Sequence, residues 1–168
     1  IIGCRSDPNT EGDLMITISD IEQAQQAWGD GIVAIATAHR DGGDYAERGR
    51  VHVETLYAYG FSEVLFKPTL AAVEQFRPTF ETALSYFAAA NGACSEDRGF
   101  AINGWKGVRF ENAGVLIHGS TAQAMGNYFF TDPEGNEVKV EYTFGYVQDD
   151  AGALRINLHH SSMPAESN

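Results

Sequence analysis

The chain is poor in what would staple it, insert it or bind it to anions. Cys4 and Cys94 are its only cysteines, too few and too far apart for a zinc knuckle, and they leave either one disulfide or two inert thiols. No apolar run approaches the roughly 18 residues that cross a bilayer, which excludes a transmembrane helix. Positive charge is scarce: 11 Lys and Arg stand against 23 Asp and Glu, a net charge of −12. Phosphate backbones and anionic lipids are bound by clustered cations, so nucleic acid and charged membrane surfaces are excluded as partners. An acidic surface of this kind serves solubility. Neither internal repeats nor a low-complexity linker interrupts the chain.

What is present is enough for one core. With 168 residues, 43% hydrophobic and 20% charged, the length is right for one domain and short for two. We expect an N-terminal extension over 1–14 and a single domain over 15–165. The opening Ile1-Ile2-Gly3-Cys4 has the form of the end of a bacterial lipoprotein signal, in which the cysteine is acylated. Export to a bacterial periplasm, or a plastid, is therefore expected over the cytoplasm, with the compartment left open.

Helical signals come first. Ser19-Asp20-Ile21-Glu22 reads as a capping box, and Ile21, Ala24, Trp28, Ile32, Ile35 and His39 recur at three- and four-residue intervals as one buried stripe. Asp44 caps a second helix through Val53 and Tyr57, stopped at Gly60, with His52 on its face. A short strand, Glu63 to Lys67, follows. Pro78 opens a third helix carrying Phe80, Tyr86 and Phe87, closed at Asn91-Gly92. From Phe100 the pattern changes to strands separated by turn residues at Asn103-Gly104, Asn112 to Gly114, Asp132 to Gly135 and Asp149 to Gly152. Val138, Val140, Tyr142, Phe144 and Tyr146 alternate with polar residues, the mark of a sheet with one face to cover. Helices gathered early and strands late predict an α+β fold, a strongly curved antiparallel sheet packed against N-terminal helices and enclosing a pocket.

The last strand ends in Leu158-His159-His160-Ser161-Ser162. Strict alternation puts Leu154, Ile156, Leu158, His160 and Ser162 on the apolar, inward face, and Arg155, Asn157, His159 and Ser161 on the other. His160 and Ser162 are then the pocket's polar end, with His159 and Ser161 in their place if the faces are reversed. Adjacent histidines on opposite faces do not ligate one metal, and no His-x-Glu-x-x-His type spacing occurs. Ordinary hydrogen-bond satisfaction at the core's edge is the competing account of these side chains.

The segments "LFKPT" at 65–69, "SYF" at 85–87, "GFAINGWKGVRFEN" at 99–112 and "HHSSMP" at 159–164 together resemble the iota class of carbonic anhydrases. That class resembles in turn a branch of the cone-fold superfamily that holds the calmodulin-dependent kinase II association domain and nuclear transport factor-like proteins. The resemblance spans roughly 15–165. It implies reversible hydration of carbon dioxide to bicarbonate and a proton, with Thr69, Tyr86, His160 and Ser162 as catalytic residues. On that reading His160 takes the proton while the hydroxyls hold the attacking water. Phe80, Phe87, Tyr142 and Leu158 are expected as apolar walls for the substrate. No metal or other cofactor is expected, manganese or zinc being the alternative because members of the class differ on this point. The superfamily also implies a homodimer through the outer face of the sheet.

Two other classes compete. A ligand-binding or oligomerisation module on the same cone would form a discrete oligomer without turnover. An isomerase or cyclase acting on a hydrophobic small molecule would need a buried carboxylate base, and the acidic residues here fall in turns, caps and outward positions.

Overall fold

A computed structural model describes residues 15–166. The cysteine at position 4 and the signal-like start lie outside the described residues. In chain order the elements are α1 (Ile18–Arg40), α2 (Tyr45–Leu56), β1 (Leu65–Lys67), α3 (Phe80–Ala88), a 3-10 turn (Phe100–Ile102), β2 (Gly107–His118), β3 (Thr121–Thr131), β4 (Glu137–Gln148) and β5 (Leu154–Ser162). They form three helices against one five-stranded sheet of order β1-β5-β4-β3-β2. The sheet is antiparallel except at its edge, where β1 runs parallel to β5 through Leu65 opposite Leu158 and Lys67 opposite His160. A parallel edge departs from the expected meander. It arises because β1 comes from the helical half of the chain and docks on the last strand.

Helix α1 starts two residues earlier than its sequence signature suggests. Thr17, not Ser19, is the N-cap: its Oγ1 accepts from Asp20 N–H at 3.2 Å, and Asp20 Oδ2 accepts from Thr17 N–H at 2.7 Å. Ile16 and Ile21, the positions that a hydrophobic staple joins, are both buried and favour this register. The stripe of Ile21, Trp28, Ile32 and Ile35 is buried as expected. His39 leaves it, exposed in the last turn against the Tyr45 ring at 4.9 Å.

The sheet curls around Trp28. Its indole lies 6.1 Å from Phe110 of β2, 5.6 Å from Tyr128 of β3, 5.8 Å from Phe144 of β4 and 5.7 Å from His159 of β5, between ring centroids. Four strands laid flat, at about 4.8 Å each, span about 14 Å, so one side chain reaches all four only if the sheet wraps around it. Bulges assist the curl. Asn112 to Gly114, expected as a turn, is instead a bulge in a continuous β2, where Ala113 is the extra residue between Asn112 opposite Gly126 and Gly114 opposite Met125. Gly126 admits the bulged backbone: a Cβ there would lie 2.8 Å from Ala113 N and closer still to Glu111 O.

His52, expected as a face residue of α2, is on the buried face. It packs edge-on against Trp28 and Phe87, with its ring against Gly31 of α1 where no Cβ fits. Among the described residues neither of its ring nitrogens has a hydrogen-bond partner, and burial lowers its pKa from 6.5 to about 3. The folded protein therefore keeps this imidazole neutral while the unfolded chain protonates it below its ordinary pKa. The stability His52 contributes is present above pH 6.5 and lost as pH falls toward about 3. In urea titrations the loss from this group should be about 1.4 kcal/mol per pH unit within that window. His52→Phe should show a shallower acid slope than wild type; equal slopes would mean that the imidazole is protonated within the fold.

Candidate active site

A second bulge decides which side chains of β5 face inward. Gly145 pairs with Leu158 and Tyr146 with Ile156, leaving Asn157 as the extra residue. One inserted residue exchanges the faces of everything beyond it. Ile156 is inward as expected, but from there His159 and Ser161 are buried while His160 is exposed and Ser162 half-buried. The expected placement of His160, Ser162 and Leu158 in the interior is thus corrected. Ser162 donates to Glu141 Oε2 at 2.8 Å. With His160 and Glu141 it lines a groove of about 350 Å³ on the outer face of the sheet. Leu158 lines a second outer groove with Leu65, Phe76 and Pro78.

The inward residues meet side chains from three other elements. Thr69, two residues beyond β1, donates to Ser161 Oγ at 2.9 Å. Tyr86 of α3 comes beside Thr69, whose side chain, with the Leu70 backbone, lowers its pKa against the larger rise from burial. Tyr128 of β3 approaches from the other side, where Ser161 and Thr69 lower its pKa against the larger rise from burial. Four hydroxyls therefore converge, and Thr69 is the half-buried member among three buried partners. Burial raises the pKa of both Tyr86 and Tyr128; the phenols stay protonated at neutral pH and are available as donors.

His159 sits behind this cluster. Its ring stacks on Phe66 at 4.6 Å and meets the edge of Phe144 at 4.5 Å. Nδ1 lies 2.8 Å from Tyr57 Oη, and Nε2 lies 3.4 Å from Tyr128 Oη. Burial, with smaller contributions from His52 and His160, pushes its pKa well below the usual imidazole value, so it is neutral.

The segment after Thr69 is clamped. Glu96 accepts hydrogen bonds from the backbone N–H groups of Ala72, Val73 and Glu74. Arg77, fully buried, donates to both Asp97 oxygens at 2.6 and 2.8 Å and to Thr82 O at 3.0 Å. This holds the loop onto α3 and fixes Thr69 beside Tyr86. Sequence reading missed Arg77, Glu96 and Asp97, as well as Tyr57 and Tyr128. An Arg directly before Pro78 and an acidic pair after Ser95 are signals too common to single out.

The expected substrate walls are divided. Phe87 is buried, stacked on Phe66 at 5.8 Å, and Phe80 is half-buried at the start of α3. Tyr142 faces inward, but its hydroxyl is taken up by Gln25, which donates at 3.0 Å, and by Asn112. Leu158 faces outward. Among the described residues, no three His, Cys, Asp or Glu side chains converge in a way that could hold a metal ion.

Residues 19–163 match the family model of the metal-independent carbonic anhydrases. A metal-independent carbonic anhydrase from Nostoc sp. is 42% identical over 154 residues, covering 90% of this chain and 75% of that protein. The crystal structure of a cyanobacterial iota-carbonic anhydrase complexed with bicarbonate superposes with a TM-score of 0.87 at 41% identity, covering 91% of this chain and 95% of that one. A calcium/calmodulin-dependent kinase II association domain from Xanthomonas campestris shares the fold at a TM-score of 0.61 and 22% identity, covering 99% of this chain and all of that one. With a family match across nearly all the described residues and this degree of identity, the chain belongs to the metal-independent carbonic anhydrases, which interconvert carbon dioxide and bicarbonate without a metal cofactor.

Proposed function

We propose that hydration takes place at the hydroxyl cluster of Thr69, Tyr86, Tyr128 and Ser161. The hydrogen bond from Thr69 to Ser161, with protonated phenols on both sides of it, is the observation that carries this reading. Bulk water, with a pKa of about 15.7, is a poor nucleophile, and metal enzymes lower that value to about 7 on the ion. Here the available means is a set of donors aimed at the oxygens where charge develops, in surroundings of low dielectric. Water held at Thr69 and Ser161 attacks the carbon of carbon dioxide. A C–O bond forms, one C=O electron pair moves onto oxygen, and the proton the water loses passes to solvent water on the half-exposed Thr69 side.

Phenol and hydroxyl donors then stabilise the bicarbonate oxygens. Bicarbonate in the cyanobacterial relative's complex supports the assignment of an anion site to this fold. Phe66, Phe80 and Phe87 provide apolar surface beside the cluster for an uncharged substrate. Proton acceptance does not fall to His160, which lies on the opposite face of the sheet.

The homodimer is proposed through the outer face of the sheet. Leu116 and Met125 are 69% and 58% exposed there, bordering an apolar groove of about 380 Å³ on β2 and β3.

Stopped-flow hydration assays should show Thr69→Val and Ser161→Ala slowed by roughly 100-fold or more, while His160→Ala and Ser162→Ala stay close to wild type. The reverse ranking would return catalysis to the outer face. Exhaustive dialysis against EDTA should leave turnover unchanged; loss restored by added zinc or manganese would overturn the metal-free assignment. In sedimentation equilibrium the wild type should be dimeric and Leu116→Glu monomeric, and a monomeric wild type would remove the proposed interface.

A further inference from the structure

Trp28 can donate a hydrogen bond and cannot accept one, and this gives the buried polar chain a direction. Its Nε1–H donates to Tyr57 Oη at 3.0 Å, and the same oxygen lies 2.8 Å from His159 Nδ1. Tyr57, Trp28 and His159 are all buried. If Nδ1 carried a proton and gave it to Tyr57, the Tyr57 hydroxyl proton would be left without an acceptor, which a buried donor tolerates poorly. If Nδ1 accepts instead, all three groups are satisfied. A neutral imidazole that accepts at Nδ1 carries its proton on Nε2. That N–H faces Tyr128 Oη at 3.4 Å. With its oxygen accepting from His159, Tyr128 has its own proton free to turn toward Ser161 and Thr69, the hydroxyls beside it that are joined to each other at 2.9 Å.

We infer that Trp28 and Tyr57 are positioning residues for the hydration reaction: in series they hold His159 as its neutral Nε2–H tautomer and so aim the Tyr128 proton at the Thr69–Ser161 pair. The inference rests on the placement of the reaction at that pair. Donors then run outward from the core, from Trp28 through Tyr57, His159 and Tyr128 to the cluster. A proton moving the other way would have to reverse each bond and would stop at Tyr57, because the indole N–H beyond it has no lone pair to receive it. The proton released on hydration therefore leaves by the half-exposed Thr69 side. His159 acts through Tyr128 and is not the base. The groups around His159 fit this role: Phe66 and Phe144 are apolar, Tyr57 and Tyr128 are its titratable hydrogen-bonding partners among the described residues, His52 is itself neutral, and His160 is exposed on the outer face.

Long-range 15N–1H correlation spectra of the full chain labelled at histidine distinguish the two tautomers directly. Wild type should show His159 as Nε2–H throughout the neutral pH range. Tyr57→Phe, which removes one hydroxyl and keeps the ring, should bring in the Nδ1–H form and lower kcat roughly tenfold or more with KM little changed. Tyr146→Phe, which removes a buried hydroxyl that has no partner, should alter neither the tautomer nor kcat. An Nδ1–H tautomer or an imidazolium in the wild type would overturn the inference, as would a Tyr57→Phe protein that keeps either the tautomer or full turnover. Should Tyr57→Phe fail to fold, the wild-type spectrum decides by itself. The Thr69→Val assay reads the placement of the reaction independently of any tautomer, so the failure of one is distinguishable from the failure of the other.

Discussion

A single indole has to be enclosed, and much of the architecture follows from that. Trp28 stands on the buried stripe of α1 and touches rings from β2, β3, β4, β5, α2 and α3. Ring pairs of this kind contribute beyond the area they bury, and here they share one hub, so the helices and the curled sheet are held by a common contact. The sheet reaches around the indole by bending at Ala113 and Asn157, where one strand carries an extra residue. The one polar atom of the indole is buried as well and must donate somewhere. Tyr57 receives it, and the polar chain toward the hydroxyl cluster begins there.

Apolar enclosure and polar direction thus share an origin. The Asn157 bulge that helps close the sheet also turns His159 and Ser161 inward, and the clamp of Arg77 with Asp97 brings Thr69 to meet Ser161. Burial keeps the phenols protonated and the imidazoles neutral. The cluster therefore carries no formal charge of its own and presents hydroxyl dipoles to an anion as it forms. Fixed dipoles in a site closed to water act strongly because they need not reorganise during the reaction. His52 shows the cost of such a core: its two unpartnered nitrogens are kept in place by aromatic packing.

Much of this was legible along the chain. The stripe on α1, the Asp44 cap, the turns at Asp132 to Gly135 and Asp149 to Gly152 and the alternation of β4 each depend on near neighbours, and each appears in the structure. Thr69 and Tyr86 were reached through resemblance, and they do lie together. The last strand was misread because alternation assumes that no residue is inserted, and nothing in Leu154 to Ser162 marks Asn157 as the insertion. From the bulge onward β5 pairs with β4 along one edge and with β1 along the other, and both partners lie far from it in the sequence.

The division follows the range of the forces involved. Capping, turn formation and hydrophobic periodicity act over a few residues, so the sequence by itself determined the class of fold, the order of its elements and the exclusion of a bilayer-spanning helix. Which face of β5 looks inward, which hydroxyls converge and which way their protons point depend on contacts between residues such as Trp28, Tyr57, Tyr128 and His159, all far apart in the chain, Tyr57 and His159 by 102 positions. Only the tertiary structure decided those, because a hydrogen bond has a direction only when both partners and their surroundings are in place.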